Sequence, residues 1–134
     1  MLRVLLLAAT WLAATQSSGQ EIDPKEIPPE LAQPIFEKSD ADLDTCGLGA
    51  VSGLDPDGDG FLSVRTGPGT EYARLAKLAN GDRVWIFDTV GEWHGVIYGA
   101  EAVDCSPITE TRVLNRDGAN HGWIHSNWLT PLAG

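Results

Sequence analysis

Residues 61–72 read FLSVRTGPGTEY. Residues 61–65 alternate as a short strand, with Val64 and either Phe61 or Leu62 turned inward. TGPGT at 66–70 then forces a turn, because Gly reaches φ values closed to other residues and Pro fixes its own. Working outward, Arg74 to Leu78 is a further short strand, closed by Asn80-Gly81, a strong hairpin signal. RVWIFD at 83–88 reads as the next strand, and Gly91-Glu92 turns the chain into WHGVIY at 93–98. Upstream, Gly47 to Val51 is a candidate first strand, and a loop carrying DPDGDG follows from Leu54. Residues 99–119 form an insertion, too polar and irregular to be core. It ends in Asp117-Gly118, and 122–124 then begin the closing strand. Short strands at this spacing predict an all-β fold, a small barrel of about five to six strands.

Composition agrees. The chain has 134 residues, enough for one domain with tails, and holds 15 Gly, 8 Pro, 5 Trp and a single Met. Many turns and a few large rings suit a small all-β core. The first twenty residues stand apart as a secretory signal: Arg3 supplies the positive end, 4–14 is apolar except for Thr10, and small polar residues follow. That run is roughly half of what a membrane span needs, so no stable membrane span is expected in the exported chain. No Cys near its end would take a lipid, and cleavage is expected between Ala14 and Gln20. The expected address is periplasmic or secreted.

Export changes how Cys46 and Cys105 read. In an oxidising compartment a disulfide is the default for a lone pair. It would close a loop whose chain-entropy stabilisation is about 4 kcal/mol. The rival reading, a catalytic thiolate paired with a histidine, requires a reduced Cys. Once Arg3 leaves with the signal, 19 acids face 8 bases, a net charge of −11. Residues 21–45 hold eight acids, Lys25, Lys38 and four prolines. They read as an extended, solvated, acidic Pro-rich linker, with a short helical turn around Pro34 to Lys38. Nucleic acid is not an expected partner, since its phosphates call for clustered Lys and Arg.

LSVRTGPGTEY, then NGDRVWIFDTVGEWHGVIYG, then GWIHSNWL resembles a bacterial SH3-like (SH3b) domain across about residues 47–131, within a barrel region of 46–134. It is similar, more narrowly, to short exported proteins of Gram-negative bacteria. The resemblance implies a barrel with a distal Asn-Gly hairpin and a closing turn of 3₁₀ character around Ser126 to Trp128. It also implies a non-catalytic module that binds cell-wall peptidoglycan or an extended peptide. The surface it implies lies between the loop after the first strand and the turn at 91–92, and makes Tyr72, Trp93 and Tyr98 the ligand-binding candidates. Such rings stack on sugars or hold extended peptides; they also pack small barrels. Trp85, Trp123 and Trp128 lie within the strand pattern and read as structural. The other reading is a structural or docking partner of another envelope protein, with no small ligand.

Three further motifs carry candidate chemistry. Asp55, Asp57 and Asp59 begin a D-x-D-x-D-G calcium loop, yet its twelfth position is Thr66 where a bidentate Glu belongs, so any Ca²⁺ affinity is expected to be weak. His121 and His125 lack a third zinc ligand, and His125 is expected to hydrogen-bond within the barrel. The Gly-Pro-Gly turn lacks the Lys-Ser/Thr and helix of a phosphate loop. No cofactor and no resident metal are expected, and the chain is not expected to be an enzyme.

Overall fold

Nine strands form among residues 32–133, the residues that this computed structural model describes. They are β1 (Phe36–Glu37), β2 (Gly47–Val51), β3 (Leu62–Arg65), β4 (Arg74–Leu78), β5 (Arg83–Val90), β6 (Trp93–Tyr98), β7 (Arg112–Val113), β8 (Asn120–His125) and β9 (Leu129–Ala133). A 3₁₀ turn at Ser126–Trp128 joins the last two, as expected. Seven strands make one antiparallel sheet in the order β4-β3-β8-β6-β5-β2-β9, and β1 pairs with β7 alone. The expected signal, 1–20, and the first part of the expected linker lie outside the described residues.

One face of the sheet encloses the barrel core. Val51, Leu62, Val64, Leu78, Val84, Val96 and Ile124 meet there. Leu78 of β4 and Val51 of β2 stand five neighbours apart in the sheet order, roughly 24 Å in a flat sheet. Their presence in one cluster means that the sheet curls around it. The Asn80-Gly81 turn forms, with Gly81 at φ +90° and Asp82 N–H donating to Ala79 O. The strands it joins do not pair, however: β5 takes β6 and β2 as its neighbours.

The other face is apolar as well. Phe87, Ile97 and Trp123 project from β5, β6 and β8 into a second cluster with Ile35, Cys46 and Leu114. Its cover comes from residues 32–46 and 99–119, and here the structure departs from the expected solvated linker and surface insertion. Ile35 and Leu114 are buried. No helical turn forms around Pro34 to Lys38; β1 forms instead, with Phe36 opposite Val113 and Glu37 opposite Arg112. The indole of Trp123 donates to Gln33 O at 3.1 Å, Leu114 N–H donates to Ile35 O at 2.7 Å, and Ser39 Oγ donates to Ile108 O at 2.7 Å. Apolar contact overrides the polar composition because each segment needs only one or two buried residues to be held, each contributing about 1.5–3 kcal/mol. Gly95 makes room for the cover: a Cβ there would lie 2.7 Å from Ile35 Cγ2 and 2.8 Å from its Cγ1.

Glu37 locks the two covering segments together. It is 1% exposed. Arg112 Nε donates to its Oε2 at 2.9 Å, Arg116 Nη2 to its Oε1 at 2.7 Å, and Thr45 Oγ1 to its Oε1 at 3.2 Å. Burial pushes the carboxyl upward, but the two guanidinium groups outweigh it and hold Glu37 below the usual carboxylate value of 4.5. The disulfide Cys46–Cys105 forms as expected, and Thr45 N–H donates to Cys105 O at 2.8 Å beside it.

Gly95→Ala is expected to destabilise the fold by about 1–3 kcal/mol in thermal or urea unfolding, because Ile35 must shift. A folded-state carboxyl held low contributes stability above its unfolded value, which is lost as pH falls through the lower folded value. Amide protection at β1 and β7, taken relative to the intrinsic exchange rate at each pH, is therefore expected to fall as pH drops below the ordinary carboxylate range. Glu37→Gln is expected to remove that acid dependence and to cost about 2 kcal/mol at neutral pH.

Candidate binding site

The sequence-derived aromatics fall in three different places. β6 alternates, so Trp93 and Tyr98, five residues apart, face opposite sides of the sheet. Tyr98 packs against the barrel core, and Trp93 against the outer cluster. Tyr72 sits on the turn after β3 with its ring against Gly67, where a Cβ would collide with it. Arg65 pairs opposite Trp123 and Trp93 opposite His125. The 66–73 turn and the 91–92 turn therefore leave β8 at opposite ends, and the three rings do not line one groove. Of the tryptophans read as structural, Trp123 is buried and Trp85 half-buried, whereas Trp128 is 39% exposed. It follows β8 on the 3₁₀ turn, past the strand pattern, with its ring beside Gly53.

A cleft of about 690 Å³ opens where the cover is incomplete. Its floor is Ile86, Phe87 and Asp88 of β5, and its wall is the chain from Lys38 to Gly47. A turn makes that wall stand away from the sheet: Leu43 N–H donates to Asp40 O at 3.0 Å, and Ala41 adopts φ +50°, in the left-handed region that disfavours a Cβ. The turn leaves Leu43 62% exposed on the cleft's edge. Asp88, buried, is fully engaged: Lys38 Nζ lies 2.9 Å from its Oδ1, Phe36 N–H donates to Oδ2 at 3.0 Å, and Thr89 N–H to Oδ1 at 2.8 Å. Asp42 and Asp44 have no ion pair or hydrogen bond from their carboxylates among the described residues. The cleft thus offers two apolar floor residues beside a neutralised Asp88, a rim leucine and two unpaired negative charges.

Trp93 lies on the same face. Asp88 is opposite Gly95 and Val90 opposite Trp93, so the row from the cleft floor continues through exposed Val90 to Trp93. Trp93 meets His125 edge-on, with ring centroids 5.3 Å apart. His125 also accepts from Asn127 N–H at 3.1 Å and lies 3.4 Å from Glu92, the role within the barrel expected of it. His94 bonds Thr89 Oγ1 at 2.9 Å. Burial holds it below the usual imidazole range, with His125 adding to the effect and a backbone hydrogen bond at Asp88 opposing it.

Asp42, Leu43, Asp44 and Phe87 escaped the sequence reading. An acidic run reads as solvated wherever it lies, and contacts distant in sequence, at Lys38 on one side and Cys46 on the other, bring this one against β5. Asp55, Asp57 and Asp59 are exposed, and Asp55 caps its own turn by accepting from Asp57 N–H at 2.9 Å. Among the described residues no three acids, histidines or cysteines gather as metal ligands. With both sulfurs joined, neither Cys46 nor Cys105 is a thiol nucleophile. No helix among the described residues is long and apolar enough to cross a membrane.

The family model described as the bacterial SH3 domain matches residues 60–130. Neither the curated proteins nor the solved structures compared with the chain gave a match.

Reduction of Cys46–Cys105 is expected to loosen the cleft wall selectively. Amide exchange at 39–46 and 100–106 should rise while β5, β6 and β8 keep their protection. Equal loss across the sheet would show that the wall is not a separable part of the fold.

Proposed function

The chain belongs to the bacterial SH3 domain family, and on that premise we propose that it is an exported, non-catalytic binding module for cell-wall peptidoglycan or an extended peptide. Domains of this family are commonly wall-binding modules, and a disulfide-closed chain suits an oxidising compartment outside the cytoplasm. A ligand site is supported above all by the cleft between the 38–47 wall and β5, about 690 Å³ in volume, which is in the range of small-ligand and peptide sites. Phe87, Leu43 and, further along the face, Trp93 supply apolar contact, while Asp42 and Asp44 favour an amino group on the ligand. Of the three aromatics expected from the sequence, Trp93 is the one on this face. Tyr72 and Tyr98 belong to other surfaces.

Co-sedimentation of the exported chain with insoluble peptidoglycan tests this. The parent is expected in the pellet. Trp93→Ala, and the pair Asp42→Asn with Asp44→Asn, are each expected to weaken retention about tenfold, a loss of about 1.4 kcal/mol. Tyr72→Ala should retain parental binding. A parent chain left in the supernatant would overturn the wall-binding reading, and equal losses in all variants would overturn the assignment to the cleft.

A further inference from the structure

An electrostatic conflict lies elsewhere, on β3 and β4. Lys38, Arg112 and Arg116 are each ion-paired with an acid. Arg65, Arg74 and Lys77 have no ion pair among the described residues, although the chain is strongly acidic. Arg65 and Arg74 are direct cross-strand partners. Like charges so placed destabilise a sheet. Burial and the neighbouring Arg74 both disfavour the charge of Arg65, with Glu71 only partly opposing them. Arg65 is held in place nonetheless, its Nη1 donating to Tyr72 O at 2.9 Å. Phe61 holds the other two cations over its ring, Arg74 at 5.2 Å and Lys77 at 4.6 Å from the centroid. The Nε of Arg74 is enclosed and has no hydrogen-bond partner.

A second, independent feature adjoins these charges. β4 ends the sheet order, so one edge of its backbone has no ladder partner among the described residues. A lysine on an edge strand commonly serves to deter unwanted pairing. That accounts for Lys77 but not for two arginines set face to face, which a chain with 19 acids had ample means to neutralise. Local conflict of this kind is expected where a ligand completes the site.

We propose that the β3–β4 edge is a binding site for an extended peptide bearing carboxylates. The peptide adds a strand to β4 through main-chain hydrogen bonds, and Arg65, Arg74 and Lys77 pair with its acidic side chains or its C-terminal carboxylate. The site is distinct from the cleft and does not depend on it. Long-range charge opposes binding here: an anionic peptide approaching an anionic protein is repelled everywhere except at a local cationic patch. Association of an acidic peptide would therefore report this patch and not a diffuse attraction.

Tetraglutamate titrated into the ¹⁵N-labelled chain, followed by amide chemical shifts, tests the proposal. Shifts are expected in 61–65 and 72–78, with β2, β5 and the cleft wall unmoved. Tetraglutamine should produce none. Arg74→Gln is expected to weaken binding about tenfold, and Lys77→Gln, a change at an exposed position, to weaken it in a chain whose spectrum is otherwise parental. The proposal is overturned if millimolar tetraglutamate leaves the spectrum unchanged, or if tetraglutamine acts equally. It is also overturned if inorganic phosphate or free glutamate matches the peptide's affinity, which would mean simple anion capture, or if both substitutions leave the titration unaltered. Peptidoglycan retention is read separately, so failure of one site leaves the other standing.

Discussion

A sheet that is apolar on both faces cannot stand with one face in water, and the rest of this structure answers that constraint. Curling disposes of one face by wrapping it around Val64, Val84, Val96 and Ile124. The other, bearing Phe87, Ile97 and Trp123, needs a separate cover, and two segments far apart in sequence provide it. Neither has much secondary structure of its own: β1 and β7 are two residues each. Three devices compensate for that. Ile35 seats over Gly95, Glu37 draws two arginines of the insertion onto the arm, and a disulfide with a sequence separation of 59 fixes the far end. The cleft is a by-product of the same constraint. It opens where the cover turns away from the sheet at Ala41, between Ile35 and Cys46, the two points at which it is pinned.

Much of the barrel was legible because strand periodicity and turn chemistry are local signals. LSVR, the Gly-Pro-Gly turn, WHGVIY and the 3₁₀ turn after GWIH all lie where local rules place them. The Asn80-Gly81 turn was legible too, but not the partner of the strands around it, since partner choice is a property of the whole sheet. β5 pairs with β2, which falls outside the part of the chain matched by the family model. The second core has a trace in the sequence. RVWIF and GVIY carry apolar residues at consecutive positions, and a strand without alternation is one buried on both sides. That run already required a cover, and no segments other than the arm and the insertion were free to supply it.

The candidate site was harder to read because its residues have no pattern. An exposed Leu43 between acids is ordinary in sequence and becomes notable only when placed beside β5. The aromatics failed as a group for the opposite reason: they share a chemistry but not a place. An odd spacing within one strand puts Trp93 and Tyr98 on opposite faces, a conclusion available from alternation alone once both are assigned to the same strand. Alternation also places Trp93 on the outer face of the sheet, the face on which Phe87 and Asp88 of β5 form the cleft floor.

The burial of Glu37 is better understood as a determinant of register than as a source of stability. Replacing a buried ion pair with apolar side chains is often neutral or favourable, so charge is not needed merely to hold two segments together. A two-residue ladder, however, specifies its own register poorly, and a slip by one position exchanges the faces of every side chain. In the observed register Ile35 and Glu37 point inward and Phe36 outward, where it is exposed. The slipped alternative would turn Phe36 toward Gly95 and Glu37 toward water. It is opposed by size, since Phe36 is larger than the Ile35 seated over Gly95, and by charge: Arg112 and Arg116 would lose their shared carboxylate, and Arg116, which also lies 5.6 Å from the Phe87 ring, would be left beside the apolar cluster without an acid partner. One carboxylate between two arginines thus adds a charge criterion to the packing that selects the register. The selected register fixes Lys38 against Asp88, and with it the near wall of the cleft.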